Sequence, residues 1–317
     1  MASLGAAAIA LVLVLALTPA WMRLAPRIGA IDWPRGRHAH ERPTPTAGGV
    51  VIVVAVWAAA LVVMQRPLAL PVIGIFLAVL LLLLLSVYDD IHGVPAGIRL
   101  LAQCALALAV YAWGVRIEGT SNFLGLLGRE SWVELGWLSC PLTVLWIVLL
   151  TNAMNWLDGI DGLTAGVAAI SAFTLGLMAT FSPATGMFPA IAVLGCAVAG
   201  ACLGFLRYNF APAKVFMGDA GAMCLGFLLG CVSALGALKG PTAAAVLLPL
   251  LVMGVPLYDS TTTVAKRVMN GKNPLAGDRT HIQHRLLDRG FSVKQAALVV
   301  YGFSAVLCLI ALWLWWK

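Results

Sequence analysis

The chain has 317 residues, of which 62% are hydrophobic and only 10% charged, and its mean hydropathy is +0.97. Soluble domains carry about 25% charged residues, so a water-soluble globular protein is excluded and a polytopic membrane protein is expected. The net charge of +7 does not point to nucleic acid, because the basic residues are spread through segments flanking apolar runs, where they set orientation and meet anionic lipid.

A helix of about 20 residues crosses a bilayer. Ten runs of this kind follow one another at 4–22, 48–64, 68–87, 98–115, 135–154, 163–181, 187–206, 220–238, 242–265 and 295–316. Between them lie the turn formers of RPLALP, GVPAG, SPATG and KGPT. The first run lacks a basic n-region and reads as a span rather than a cleaved signal. The seven cysteines, Cys104, Cys140, Cys196, Cys202, Cys224, Cys231 and Cys308, sit in or beside apolar runs without metal-ligand spacing, and read as small buried hydrophobes. No linker, charge block or repeat divides the chain. The expected fold is all-α, a single membrane-embedded domain over residues 1–317 with about ten transmembrane helices.

Alternating loops place 15 of the 20 Lys and Arg residues in segments 23–47, 89–99, 155–162, 207–219 and 266–294, which the positive-inside bias assigns to the cytoplasm. All nine aspartates and all five histidines fall on or near that side as well, whereas the other side holds only Glu118, Glu130 and Glu134. A solvated face would not sort Asp and His so completely, so the active loops are expected to be cytoplasmic.

Four stretches carry the chemistry. SVYDDIHG ends the third run with Asp89 and Asp90, adjacent carboxylates that repel each other and favour a nearby cation. NAMNWLDGIDGL closes the fifth run, and a continuing helix puts Asn152, Asn155 and Asp158 on one face, with Asp161 extending the series past Gly159. Helix capping explains one of these residues but not four. KVFMGDAGAM opens the eighth run with Asp219 between Gly218 and Gly221, where the Asp serves either as a helix cap or as a Mg²⁺ ligand facing phosphates. LAGDRTHIQHRLLDRGFS carries His281 and His284 with Arg279, Arg285 and Arg289, donors suited to phosphate oxygens. Zinc is the rival reading of two histidines, but no HExxH accompanies them and the cysteines lie in apolar runs.

Taken in order, HERPTPTAGGV, the Asp pair, NxxNxxDGxDGL, FMGD and a version of HxHHRL resemble the polyprenyl-phosphate N-acetylhexosamine-1-phosphate transferase family. The likeness spans most of the chain, and that family's ten- or eleven-span architecture agrees with the independent count. It implies Mg²⁺ held by Asp219 and Asn155, with Mn²⁺ able to substitute. Phe216 is expected to stack on uracil with Asp161 near its polar edge. Asn152, Asp158, Arg99, Arg279, His281 and His284 are expected to meet substrate, and Asp89 and Asp90 to handle the polyprenyl phosphate and its proton as catalytic groups. Gln283 stands where the family commonly has His, so a cation is missing at that place. Asp259 fits a frequent family acid and is assigned a supporting or packing part.

The reaction implied is transfer of a sugar 1-phosphate, most simply N-acetylglucosamine 1-phosphate, from a UDP-N-acetylhexosamine to undecaprenyl or another polyprenyl phosphate, releasing UMP. Its partners are those two substrates and membrane lipid, not nucleic acid, and a homodimer is compatible with it. The expected location is the inner (plasma) membrane. Transfer of phospho-N-acetylmuramoyl-pentapeptide is the nearest alternative, although that branch typically carries three consecutive histidines where this chain has HIQH. A secondary transporter would gather its polar groups at the bilayer midplane within paired repeats, and a lipid-binding scaffold would not need the Asp ladder.

Overall fold

Long apolar runs with few breakers form helices because a helix satisfies its backbone polar groups internally, as lipid demands. The computed structural model describes the chain except residues 34–42, 65–67, 122–131, 183–185, 237–243, 270, 272–280 and 317. The described helices are α1 (Ala2–Leu24), α2 (Gly49–Met64), α3 (Leu70–His92), α4 (Ala96–Ala112), α5 (Ser139–Leu157), α6 (Leu163–Phe181), α7 (Phe188–Asn209), α8 (Gly218–Gly236), α9 (Ala244–Val252), α10 (Gly254–Met269), α11 (Ile282–Asp288) and α12 (Val293–Trp316). Two short antiparallel ribbons join them, β1 (Ile31–Asp32) with β2 (Thr44–Pro45) and β3 (Gly119–Ser121) with β4 (Trp132–Glu134).

Among the described residues, seven helices are long and apolar enough to cross a membrane: α1, α3, α5, α6, α7, α8 and α12. Shorter apolar helices, α2 and α4, pack beside them. One expected run differs in form. Instead of a single helix over 242–265, the chain folds as α9 and α10 with a break at Met253. Pro256 explains where the second helix starts, since a residue without an N–H fits only in a helix's first turn. Helix α10 carries Asp259, Ser260, Thr261, Thr262, Thr263, Lys266 and Arg267, and it is not among the seven.

Helix α8 is central and almost wholly buried, whereas α1 and α12 expose most of their surface. On α3 the division follows helical spacing: Leu70, Ile73, Leu77, Leu80, Leu81 and Leu84 face outward, while Val72, Ile75, Val79, Leu82 and Ser86 are buried. Small residues let backbones approach around α8, in the manner of membrane helix packing. A Cβ added at Gly49 would lie 2.0 Å from the Gly221 Cα, and one at Gly226 would lie 2.5 Å from the Leu150 carbonyl oxygen. Helices α2 and α5 are thereby drawn against α8, and the polar ends of α3, α5 and α8 meet.

Candidate active site

The amino end of α8 is built by three segments far apart in sequence. A strap at residues 45–49 pairs with the stretch before the helix: the Phe216 N–H donates to the Pro45 carbonyl at 2.8 Å, Gly48 N–H to Phe216 at 3.0 Å and Gly49 N–H to Met217 at 3.0 Å. Gly218 turns the chain with φ +71°, and a Cβ there would meet Asp90 Oδ2 at 2.4 Å. Both conformation and space therefore require glycine. Asp90 accepts the backbone N–H groups of Asp219 at 2.8 Å and Ala220 at 3.2 Å. The anion at this helix N-terminus is thus a carboxylate from α3, which satisfies two donors that no intrahelical partner reaches.

With the cap supplied by Asp90, the Asp219 side chain is released for other contacts. Its Oδ1 accepts Asn155 Nδ2 at 2.7 Å and its Oδ2 accepts Arg99 Nη1 at 2.5 Å. The same Arg99 nitrogen donates to Asp89 Oδ2 at 2.7 Å, and Asp89 Oδ1 accepts the Val94 N–H at 2.6 Å. Arg99 therefore bridges two carboxylates from two helices. Asp89 is nearly buried, while Asp219 keeps 32% and Arg99 27% of their side-chain surface exposed, enough for a ligand to reach them. Phe216, half-buried, stands three residues before Asp219.

The NxxNxxD ladder divides between two tasks. Asn155 reaches Asp219, but Asn152 donates to Gln103 Oε1 on α4 at 2.6 Å and to the Val148 carbonyl at 2.8 Å. Gln103 in turn donates to Met223 Sδ on α8 at 3.6 Å, so Asn152 ties α5 to its neighbours one turn deeper than the Arg99 bridge. Asp158 ends α5. Burial raises its carboxyl pKa to about 7, and the charges of Asp219 and Asp161 add to the rise. A carboxyl in that condition gains most from an arriving cation. Asp161 Oδ2 accepts the Ala213 N–H at 2.9 Å. The adjoining Gly162 is held from both sides, its N–H donating to Asn209 Oδ1 at 3.1 Å and its carbonyl accepting the Tyr301 hydroxyl at 2.5 Å.

The histidine segment docks from the other flank. His281 caps α11, and its Nδ1 donates to Asp259 Oδ2 at 2.7 Å, while the Ile282 N–H donates to Asp259 Oδ1 at 2.6 Å. Arg285 approaches the same carboxylate at 3.8 Å. Gln283 is fully buried and donates to the Trp156 carbonyl at 3.1 Å, capping the last turn of α5. Its amide thus makes an inward contact that needs no charge. The His281 ring lies 6.2 Å from the Trp156 ring, beside Asn155 in sequence, and Arg267 lies 5.9 Å from the same ring. His284 is half-buried in α11; Arg279 lies outside the described residues.

The structure thus joins Asp89, Asp90, Arg99, Asn155 and Asp219 through direct hydrogen bonds, sets Asp158 and Asp161 at the adjoining turn, and brings the His281 ring to 6.2 Å from that of Trp156. Sequence reasoning missed Gln103, Asn209 and Tyr301. Their only advance sign was a polar side chain inside or at the end of an apolar run.

The profile of glycosyl transferase family 4 matches residues 72–237, which hold all of this cluster except the histidine segment and the strap. The chain belongs to that family. It is 35% identical over 307 residues to a Bacillus subtilis protein named "Probable undecaprenyl-phosphate N-acetylglucosaminyl 1-phosphate transferase", covering 96% of this chain and 82% of that relative. A Mycolicibacterium smegmatis decaprenyl-phosphate N-acetylglucosaminephosphotransferase is 34% identical, covering 90% of this chain and 76% of the relative. A Clostridium beijerinckii phospho-N-acetylmuramoyl-pentapeptide-transferase is 29% identical over 86% of this chain and 83% of its own length.

The donor set suits a hard divalent cation. Asp89 and Asp219 already enclose one cationic group, and Asn155 adds an amide whose oxygen and nitrogen exchange by rotation. Among the described residues no three His, Cys, Asp or Glu side chains form a cage of their own. The Asp89 and Asp219 carboxylates and the Asn155 amide fit Mg²⁺, which keeps waters and is held by one or two carboxylates plus substrate phosphates.

Proposed function

We propose that this chain transfers N-acetylglucosamine 1-phosphate from UDP-N-acetylglucosamine to a polyprenyl phosphate, forming a lipid-linked diphosphate sugar and releasing UMP. The observation that carries this reading is the Arg99 bridge between Asp89 and Asp219, with Asn155 on the second Asp219 oxygen. One phosphoanhydride replaces another, so the reaction asks chiefly for the alignment of two anionic substrates. Mg²⁺ bound at Asp219 and Asn155 would neutralise the diphosphate and the charge on the transferring group. Arg99 would turn to the phosphate oxygens, and Asp90 would keep Asp219 aimed by holding the first N–H groups of α8. Phe216 offers an aromatic face to the uracil, with Asp161 near its polar edge. Asp89 faces the acceptor, whose monoester is already largely ionised at pH 7, so a base there assists rather than decides.

The same reading places the site at the cytoplasmic face of the plasma membrane, with ten crossings made by the seven long helices, by α2 and α4, and by α9 and α10 together as one. Two relatives named for N-acetylglucosamine transfer match 96% and 90% of this chain at 35% and 34% identity, whereas muramoyl-pentapeptide relatives match 60% at 36% or 86% at 29%, and the greater coverage at that identity supports the choice of sugar. The test is UMP release from purified protein given undecaprenyl phosphate, Mg²⁺ and a panel of UDP-sugars. Turnover is expected with UDP-N-acetylglucosamine and not with UDP-N-acetylmuramoyl-pentapeptide. The reverse preference would assign the chain to the peptidoglycan branch, and no release with any sugar would remove the enzymatic reading.

A further inference from the structure

Asp259 stands apart from the carboxylates of the Asp219 cluster, and its surroundings are more specific than packing requires. It is 1% exposed, yet both oxygens are engaged by the histidine segment 22 and 23 residues further on: Oδ2 by the His281 ring and Oδ1 by the first N–H of α11. A buried carboxylate is costly unless hydrogen-bonded, and here its main donors come from one place. Helix α11 has only seven residues, too few to hold itself in register by its own backbone bonds. Its attachments include Asp259 on α10, Gln283 on the last turn of α5, and packing against α12.

We propose that Asp259 is a positioning residue for His281: by occupying Nδ1 it leaves Nε2 as the ring nitrogen presented to the phosphates of the UDP-sugar. The inference rests on the phosphotransferase reading above. An imidazole has two nitrogens, and the partner of one decides what the other offers. With Nδ1 donating to Asp259 and the ring 6.2 Å from that of Trp156, Nε2 is the nitrogen left to meet a ligand, on a residue that keeps 5% of its surface exposed. The same carboxylate fixes the backbone at Ile282, so ring direction and the start of the helix are set together.

The test is a double-mutant cycle on the full chain, with UMP release from UDP-N-acetylglucosamine, undecaprenyl phosphate and Mg²⁺ as readout. Asp259→Asn and His281→Ala are each expected to lower kcat/KM for the UDP-sugar about tenfold. The double variant is expected to be no worse than His281→Ala, because Asp259 acts only through the ring. Losses that multiply to about a hundredfold would overturn the proposal while leaving His281 in the site. Wild-type turnover in His281→Ala would sink the histidine's place in the site and the proposal with it, and no turnover in the unmodified protein would sink the phosphotransferase reading itself. His281→Asn and His281→Gln cover the case in which Asp259→Asn does not fold. The Asn variant keeps a donor near Nδ1 and is expected to be stable but as slow as His281→Ala, whereas the Gln variant keeps one near Nε2 and is expected to retain more turnover. The opposite order would overturn the proposal.

Discussion

The Asp219 cluster and the histidine segment are held in place by opposite means. Asp89, Asn155 and Asp219 sit at the ends of α3, α5 and α8, helices of 23, 19 and 19 residues fixed along their length by packing. Their positions follow from where long helices stop, and hydrogen bonds only refine them. His281 caps, and His284 belongs to, a seven-residue helix anchored by Asp259 and Gln283. A substitution in the first region should therefore remove chemistry and leave the fold; in the second it should loosen geometry by degrees.

The largest effect is expected at Asp219. Asp219→Asn keeps the shape and the Asp90-held helix start but removes the charge that a divalent cation needs, so UMP release should fall about a thousandfold or more. Thermal unfolding should be little changed. A loss of less than tenfold would show that the packed cluster is not where the cation acts, and the contrast between the regions would collapse.

Next comes Arg99. Arg99→Gln leaves Asp89 and Asp219 near one another without the cation between them, and turnover should fall on the order of a hundredfold. Mg²⁺ should then raise the Tm of the variant more than that of the unmodified chain, because the ion would replace a guanidinium that the variant lacks. An equal Mg²⁺ effect on both would mean that Arg99 and the metal do not share these carboxylates.

Gln283 probes the hooked region. Gln283→Ala removes the donor to the Trp156 carbonyl, worth about 1 kcal/mol, and kcat/KM should drop about fivefold with the metal response intact. A loss as deep as that of Asp219→Asn would mean that Gln283 meets substrate itself rather than steadying α11.

What the sequence revealed depended on contrast. A carboxylate or amide at the edge of an apolar run stands out, so Asp89, Asn155, Asp158 and Asp219 were legible, and Arg99 with them through the resemblance. The partition of roles was not. Asp90 read as the chemical twin of Asp89, but its oxygens close the amino end of α8, 129 residues away, a contact with no local sign. Asn152 shares its face with Asn155 yet turns to Gln103, because the neighbouring helix, not the spacing, decides the partner. The run at 242–265 looked continuous because its apolar first half outweighed Gly254 and Pro256. Asn209 and Tyr301 were passed over because an amide beside a helix end and a phenol in an apolar helix are common packing residues.

Tyr301 carries the smallest expected effect and sharpens the comparison most, since it links a peripheral helix to the turn of the packed region. Its hydroxyl donates to the Gly162 carbonyl while Asn209 takes the Gly162 N–H, so the residue after Asp161 is held at both its backbone polar groups. Room for the ring exists only because residue 166 is glycine, where an added Cβ would fall 2.0 Å from the Tyr301 Cζ. Tyr301→Phe removes one hydrogen bond and no volume, a change of about 1 kcal/mol or less. If the clamp serves Asp161 and the uracil, KM for the UDP-sugar should rise about threefold, with kcat and the KM for polyprenyl phosphate unchanged, because a contact equal before and during reaction affects binding alone. Steady-state kinetics with each substrate varied decides the matter: a lower kcat at constant KM would make Tyr301 a support of the metal cluster instead, and no change beyond a small drop in Tm would leave it a packing contact between α12 and α6.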